Sequence, residues 1–330
     1  MKVVLLDVSH WHFPLYVDAL LAADIEIVAL SEPDTEIRER YASLFNARAY
    51  DDTQALLAAE SFDFALVFGR HVDMPTVAGQ LIDRGIPFVI EKPAGLSAAD
   101  VARMRRAVDA KGLFVTVPFV QRVSPLWDLI ERLKRLQGAE FTSSAWRFFA
   151  GPPARYPTVG CGWMLDPSLS GGGCLINLAH HFIDLAAFAV NQPFETVMAR
   201  TSNALHGSGV EDQALVSLAT GQGRTGLVET GYCFPNTPAK REYSFSLVSK
   251  SHYLQSQATG VLVHAADAEA PELIEFDLDS DPYYGIFLQR TFADLAAGRA
   301  PVAGLDALEA TMRVIDAGYR SVALEGSCPL

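Results

Sequence analysis

The first third of the chain alternates short, uninterrupted apolar runs with amphipathic stretches. Lys2–Asp7 (KVVLLD) and the run from Ile25 (IEIVAL) are β-branched and leucine-rich with no polar alternation, as in strands buried on both faces. FDFALVF from Phe62, IPFVIE ending at Glu91 and LFVTVPF repeat the pattern, and a short strand is predicted to end at Tyr50. Between these runs lie helical patterns: PLYVDALLAA with Pro14 at the first helical position, DTEIRERYASLF capped by Asp34 or Thr35, TQALLAA, VDMPTVAGQLIDRG ending at Gly85, and AADVARMRRAVDAKG behind a Ser97/Asp100 capping box. Strands joined by helices of this length predict parallel βαβ units in a doubly wound sheet.

The pattern changes near residue 120. One helix, PLWDLIERLKRL, precedes alternating runs such as AEFTSSAWRFF, QALVSLAT and REYSFSLVS, separated by Gly, Pro and Asn turns. Such alternation predicts a mostly antiparallel, open sheet with one covered face. Two amphipathic helices, YYGIFLQRTFADLAAG and LDALEATMRVIDAGYRSVALEG, follow it. The expected fold class is α/β: a doubly wound parallel sheet over residues 1–120 and an α+β domain over residues 121–330.

Composition narrows the function classes. Half of the 330 residues are hydrophobic and the formal net charge is −13, with no Lys/Arg cluster to offset it. Nucleic acid and anionic membrane surfaces are therefore poor partners. The start, MKVVLLD, lacks the apolar core and cleavage site of a secretory leader. Cys161, Cys174, Cys233 and Cys328 show no CxxC spacing and are expected to be thiols in a reducing, cytoplasmic setting.

Ligands of open α/β sheets bind beyond the carboxyl ends of the strands. Three such ends carry chemistry here. The first is Asp7–His12, glycine-free, where Val8, Ser9, His10, Trp11 and His12 would meet a ligand's phosphates through backbone N–H groups, the Ser9 hydroxyl and imidazoles. The second is Ser31-Glu32-Pro33, whose carboxylate suits ribose hydroxyls and opposes a 2′-phosphate. The third is Glu91-Lys92-Pro93, a cation fixed at a strand end by a proline that permits a cis bond. Beyond residue 120, Gly171–Gly173 precede a predicted helix on which Asn177, His181 and Asp184 share one stripe, with His180 at its edge. A histidine on a polar stripe suits acid–base work, although an unplaced histidine is more often a core residue satisfied by a neighbour. A metal centre of His10, His12 and His71 is a minor alternative, since the ends of the first and fourth strands are neighbours; no cysteine or carboxylate spacing supports it, and the expected metal complement is none.

These motifs together resemble the Gfo/Idh/MocA family, the glucose–fructose oxidoreductase, inositol dehydrogenase and rhizopine-catabolism group. EKP (Glu91–Pro93), WMLDPSLSGGG (Trp163–Gly173), HHFID (His180–Asp184), VEDQALVSLATGQGRTGLVETGY (Val210–Tyr232) and the ending from Phe292 carry the likeness. The resemblance implies a Rossmann-type dinucleotide-binding domain and hydride exchange between a nicotinamide and a carbinol carbon of a sugar, cyclitol or related polyol. Lys92 matches the lysine at the reacting hydroxyl and the nicotinamide ribose. His181 matches the acid/base, and Asn177 stands where most members have Asp. Arg122, Trp163, His180 and Asn177 fall on the substrate side; Gly69, Arg70 and His71 replace the usual Thr-Pro-Asn on the cofactor side. The loop's glycines correspond to Asp7, Ser9 and His12, so all are replaced. NAD rather than NADP is the expected cofactor, and a homodimer or homotetramer through the C-terminal sheet the expected assembly. A catalytically silent dinucleotide- or sugar-binding regulator of the same fold is the alternative.

Overall fold

The computed structural model describes residues 1–235 and 241–330. They form two units: Met1–Pro118 with Ala154–Gly171 and Asp281–Glu309, and Phe119–Pro153 with Gly172–Ser280 and Ala310–Leu330. The first crossing falls near the expected seam, but a single cut there is not the division. Two later segments rejoin the first unit. The first of them, 154–171, does not betray this in sequence, because it has no apolar periodicity and consists mostly of short helical turns.

The first unit is a six-stranded sheet in the order β3-β2-β1-β4-β5-β6. Its strands are β1 (Lys2–Leu6), β2 (Glu26–Ser31), β3 (Arg48–Tyr50), β4 (Phe64–Val67), β5 (Phe88–Ile90) and β6 (Val115–Thr116), all paired parallel. Val3 to Leu6 of the central strand are fully buried, which is why β1 is apolar without alternation. Several predicted caps are present. The Asp34 carboxylate accepts from the Ile37 N–H, and Ser97 and Asp100 form the reciprocal capping box. The first predicted helix is a correction. Phe13–Tyr16 is a 3₁₀ turn, and only Val17–Ala22 is α-helical. Phe13 and Tyr16 are both fully buried from this turn, and that burial decides the local geometry over propensity.

The second unit holds a nine-stranded sheet, ordered β14-β13-β12-β11-β7-β10-β9-β8-β15. Its strands are β7 (Phe141–Phe149), β8 (Thr196–Ser202), β9 (Gln213–Ala219), β10 (Thr225–Gly231), β11 (Glu242–Ser249), β12 (His252–Gln257), β13 (Gly260–Ala265), β14 (Glu272–Glu275) and β15 (Cys328–Pro329). Every pairing is antiparallel except β7 with β10. Helix His180–Val190 packs on β7 and β10. Val197, Ala199, Val216 and Leu218 point to the covered face, while Met198, Leu215 and Leu227 are exposed on the other. The glycine run is needed for close packing: a Cβ on Gly173 would collide with the Glu211 backbone. Among the described residues no single helix is long and apolar enough to cross a membrane.

Candidate active site

The loop after β1 has lost its glycines without losing the turn. Asp7 holds a left-handed backbone at φ 59°, the conformation glycine ordinarily supplies. His12 sits at φ −84°, where any L-residue is comfortable. A neighbouring glycine makes room for Asp7: at Gly69 (φ +38°) an added Cβ would stand 2.9 Å from an Asp7 carboxylate oxygen. The loop is tied down by its own contacts. The N–H groups of Asp7 and Val8 both reach the Ser31 carbonyl. The Ser9 N–H donates to Glu32 at 2.8 Å, the His12 N–H to His10 Nδ1 at 3.2 Å, and the Cys161 thiol to the Ser9 carbonyl at 2.5 Å. Trp11 stands edge-on to Tyr156 at 5.6 Å, with the Arg155 guanidinium over its face at 4.7 Å.

Glu32 is only 2% exposed and accepts from both the Ser9 and Asp34 N–H groups. It therefore ties the loop to β2 rather than standing open for a ribose. A cleft of about 740 Å³ opens beside it, lined by Asp7, Ser9, His10, Glu32, Pro33, Asp34, Asp51, Asp52, Thr53, Gln54, Gly69, Arg70, Asp73, Thr76, Val77, Gly160 and Trp163. Arg70, the basic residue of that lining, is paired with Asp73 at 2.6 Å.

Burial pushes the Asp7 carboxyl up to about 6; the Thr53 hydroxyl opposes the shift, and Glu32 and Asp73 reinforce it. The Thr53 hydroxyl donates to Asp7 at 2.9 Å. Between about 4 and about 6 the folded protein holds a proton the unfolded chain has released. The stabilisation from the neutral acid is complete below this window and lost as pH rises through it. Asp7→Asn is therefore expected to raise Tm at pH 7 by a few degrees, and to lose that advantage near pH 4. Asn also tolerates the left-handed backbone. A thermal melt at the two pH values checks this; a variant less stable than wild type at pH 7 contradicts it.

The third strand end is a buried charge network. The Lys92–Pro93 bond is cis. Glu91 is fully buried; its Oε1 accepts from the Tyr16 hydroxyl at 2.7 Å and its Oε2 lies 3.1 Å from His12 Nδ1. The Tyr284 hydroxyl is 3.3 Å from the same His12 nitrogen. Lys92 is 2% exposed, and burial draws its ammonium down to about 8; Glu91 opposes that shift and Arg155 adds to it. A lysine so placed exchanges its proton near physiological pH. Tyr16 and Tyr284 carry no sequence signal for this role, since both read as helix aromatics.

His10 and His71 are 3% and 1% exposed. Their ring centroids lie 6.4 Å apart, and Trp163 packs on both, at 6.1 Å from His10 and 4.9 Å from His71. Burial lowers both imidazoles, His71 to about 3, so the rings are neutral at physiological pH. Trp163, expected on the substrate side, is thus a wall of the first unit's cleft. The metal alternative changes composition as well. The donor atoms lying within 4.8 Å of one another belong to His10, His12 and Glu91, not His71. A neutral imidazole has one lone pair, and that of His10 is taken by the His12 N–H while His71 Nδ1 donates to the Ser170 carbonyl at 2.7 Å.

In the second unit the expected stripe is broken. The helix stops at Leu178 and a new one starts at His180. Asn177 is buried and its amide donates to the Tyr232 hydroxyl at 3.0 Å. His180 is 0% exposed and its Nδ1 meets the Thr311 hydroxyl at 2.9 Å, which corrects its expected place among substrate ligands. Asp184 takes a two-pronged bond from Arg122 at 2.8 and 2.6 Å. Arg122 also rests on Phe119 and Trp127. His181 is partly exposed, with Phe119 edge-on at 6.0 Å.

Two family models match the chain. One, described as an oxidoreductase family with an NAD-binding Rossmann fold, matches residues 12–119; the other, the Gfo/Idh/MocA C-terminal domain, matches residues 142–247. A D-xylose 1-dehydrogenase (NADP(+)) of Haloferax volcanii is 24% identical over 92% of each chain. A UDP-kanosamine synthase oxidoreductase subunit of Amycolatopsis mediterranei, described as putative, is 27% identical over 55% of this chain and 49% of that one, so the match spans about half its length. Among solved structures, levoglucosan dehydrogenase in complex with NADH and levoglucosan superimposes with a TM-score of 0.86 at 17% identity, covering 100% of this chain and 99% of that one.

Proposed function

Because the chain belongs to the Gfo/Idh/MocA family of oxidoreductases, we propose that it is an NAD-dependent dehydrogenase or reductase acting on a hydroxyl-bearing carbon of a sugar, cyclitol or related polyol. The observation that carries this is Lys92, buried at the end of β5 beside Glu91 and drawn down to about 8. The carbohydrates named for the xylose, kanosamine and levoglucosan relatives support the substrate class.

The residues fit the dinucleotide at its two ends. The cleft beside Asp34, Thr53 and Val77 accommodates a nucleoside. The buried, unpaired Nε2 atoms of His10 and His71 offer hydrogen bonds to the far end. Glu32, Asp34, Asp51 and Asp52 line the same cleft and oppose a 2′-phosphate, which supports NAD over NADP. Bound NAD supplies the hydride acceptor. Lys92, when neutral, accepts the hydroxyl proton; as ammonium it donates to the carbonyl in the reverse direction. Glu91 steadies the ammonium, and Tyr16 and His12 fix the Glu91 carboxylate. The family likeness assigns the onward transfer of that proton to His181.

One observation favours the silent-regulator reading: the Ser9 and His12 N–H groups, natural phosphate donors, are already engaged by Glu32 and His10. A panel of sugars and polyols incubated with NAD or NADP, followed by reduced-nicotinamide absorbance, separates the two. Turnover with NAD on at least one polyol is expected; coenzyme binding without turnover on any would favour the regulator. We further infer that copies pair through the open face of the nine-stranded sheet, where Met198, Leu215 and Leu227 are exposed.

A further inference from the structure

We propose that His10 and His71 form a two-point reader of a ligand's primary carboxamide, at the nicotinamide end of the cofactor. The inference rests on the NAD reading. Neither histidine has an assigned role in proton transfer.

The partners of each ring fix which nitrogen holds the proton. A backbone N–H only donates, so His10 Nδ1, which receives the His12 N–H, must be the bare nitrogen. The single proton of the neutral His10 ring is therefore on Nε2. A backbone carbonyl only accepts, so His71 Nδ1, 2.7 Å from the Ser170 oxygen, carries the proton of that ring. Its lone pair is on Nε2. Both Nε2 atoms are buried without a hydrogen-bond partner. One is a donor and the other an acceptor, on rings 6.4 Å apart between centroids, and they are not bonded to each other.

Buried, unpaired polar edges in a native fold call for an explanation. A primary carboxamide answers both: its oxygen accepts from His10 and its NH₂ donates to His71. Trp163, packed on both rings, offers an aromatic wall beside them. Lys92 acts electrostatically on both imidazoles. A carboxylate in the same place has no proton for His71 and sets an oxygen against its lone pair.

The test compares dissociation constants for three ligands: NADH, its reduced nicotinic acid analogue, and ADP-ribose, which lacks the ring. Wild-type protein is expected to prefer NADH over the carboxylate analogue by roughly tenfold or more. His71→Phe is expected to close that gap to about twofold while ADP-ribose binds as before, which shows the fold and nucleoside cleft intact. Glu91 remains in the variant, so its repulsion of a carboxylate cannot imitate the result. Equal affinities in wild type, or discrimination retained in His71→Phe, would overturn the reader; a water bridge alone produces that outcome. Should His71→Phe fail to fold, the wild-type comparison and His71→Gln, expected to keep the NADH preference through its amide oxygen, decide the matter. Failure of NADH and ADP-ribose alike would instead overturn the NAD reading on which the proposal stands.

Discussion

Lys92→Ala is expected to lower kcat for alcohol oxidation by on the order of 100-fold or more. The side chain is buried beside the Glu91 carboxylate, and its removal would take away the group proposed to receive the hydroxyl proton. Lys92→Arg is expected to fail as a replacement, because a guanidinium does not release its proton in the working range. In wild-type protein the oxidation rate should climb as pH rises through about 8, the value to which burial draws Lys92, and reduction should show the opposite slope. Circular dichroism separates a catalytic loss from an unfolded variant. A folded Lys92→Ala protein keeping most of its kcat would remove Lys92 from the mechanism.

His181→Ala and His180→Ala are expected to fail in different ways. His181 is partly exposed and matches the family's acid/base, so its loss should cost about 100-fold or more in kcat with little change in Tm. His180 is fully buried on the Thr311 hydroxyl. Its truncation leaves a cavity and removes a buried hydrogen bond, a loss of about 2–4 kcal/mol in stability. The folded fraction of His180→Ala should turn over at close to the wild-type rate. Paired measurements of kcat and Tm decide the assignment; equal losses of kcat would defeat it.

The strands of the first unit were readable because a parallel sheet buries both faces and leaves unbroken apolar runs, as in Val3–Leu6. The caps were readable because Asp34 and Ser97 act within three residues of themselves. The site was legible only as a set of strand ends. Glu91 meets His12 across 79 positions and Tyr284 meets His12 across 272, and no local pattern encodes such partners. Nor does the glycine-free loop announce that Asp7 takes over a glycine conformation, since that depends on the space left by Gly69. The histidine stripe failed for a related reason. It assumes one continuous helix, and the break after Leu178 re-aims everything beyond it. Arg122 and Asp184 looked like site residues separately and prove to satisfy each other.

The central claim is hydride exchange with a sugar or polyol carbon, and isotope transfer tests it most directly. The protein is incubated with NADH deuterated at C4 on either face, together with the keto or lactone forms of a sugar and cyclitol panel, and the products are read by mass spectrometry. The account predicts deuterium on the new carbinol carbon of at least one product, from one face of the nicotinamide only, and no such label with Lys92→Ala. Tight NADH binding with no deuterium in any product would contradict it.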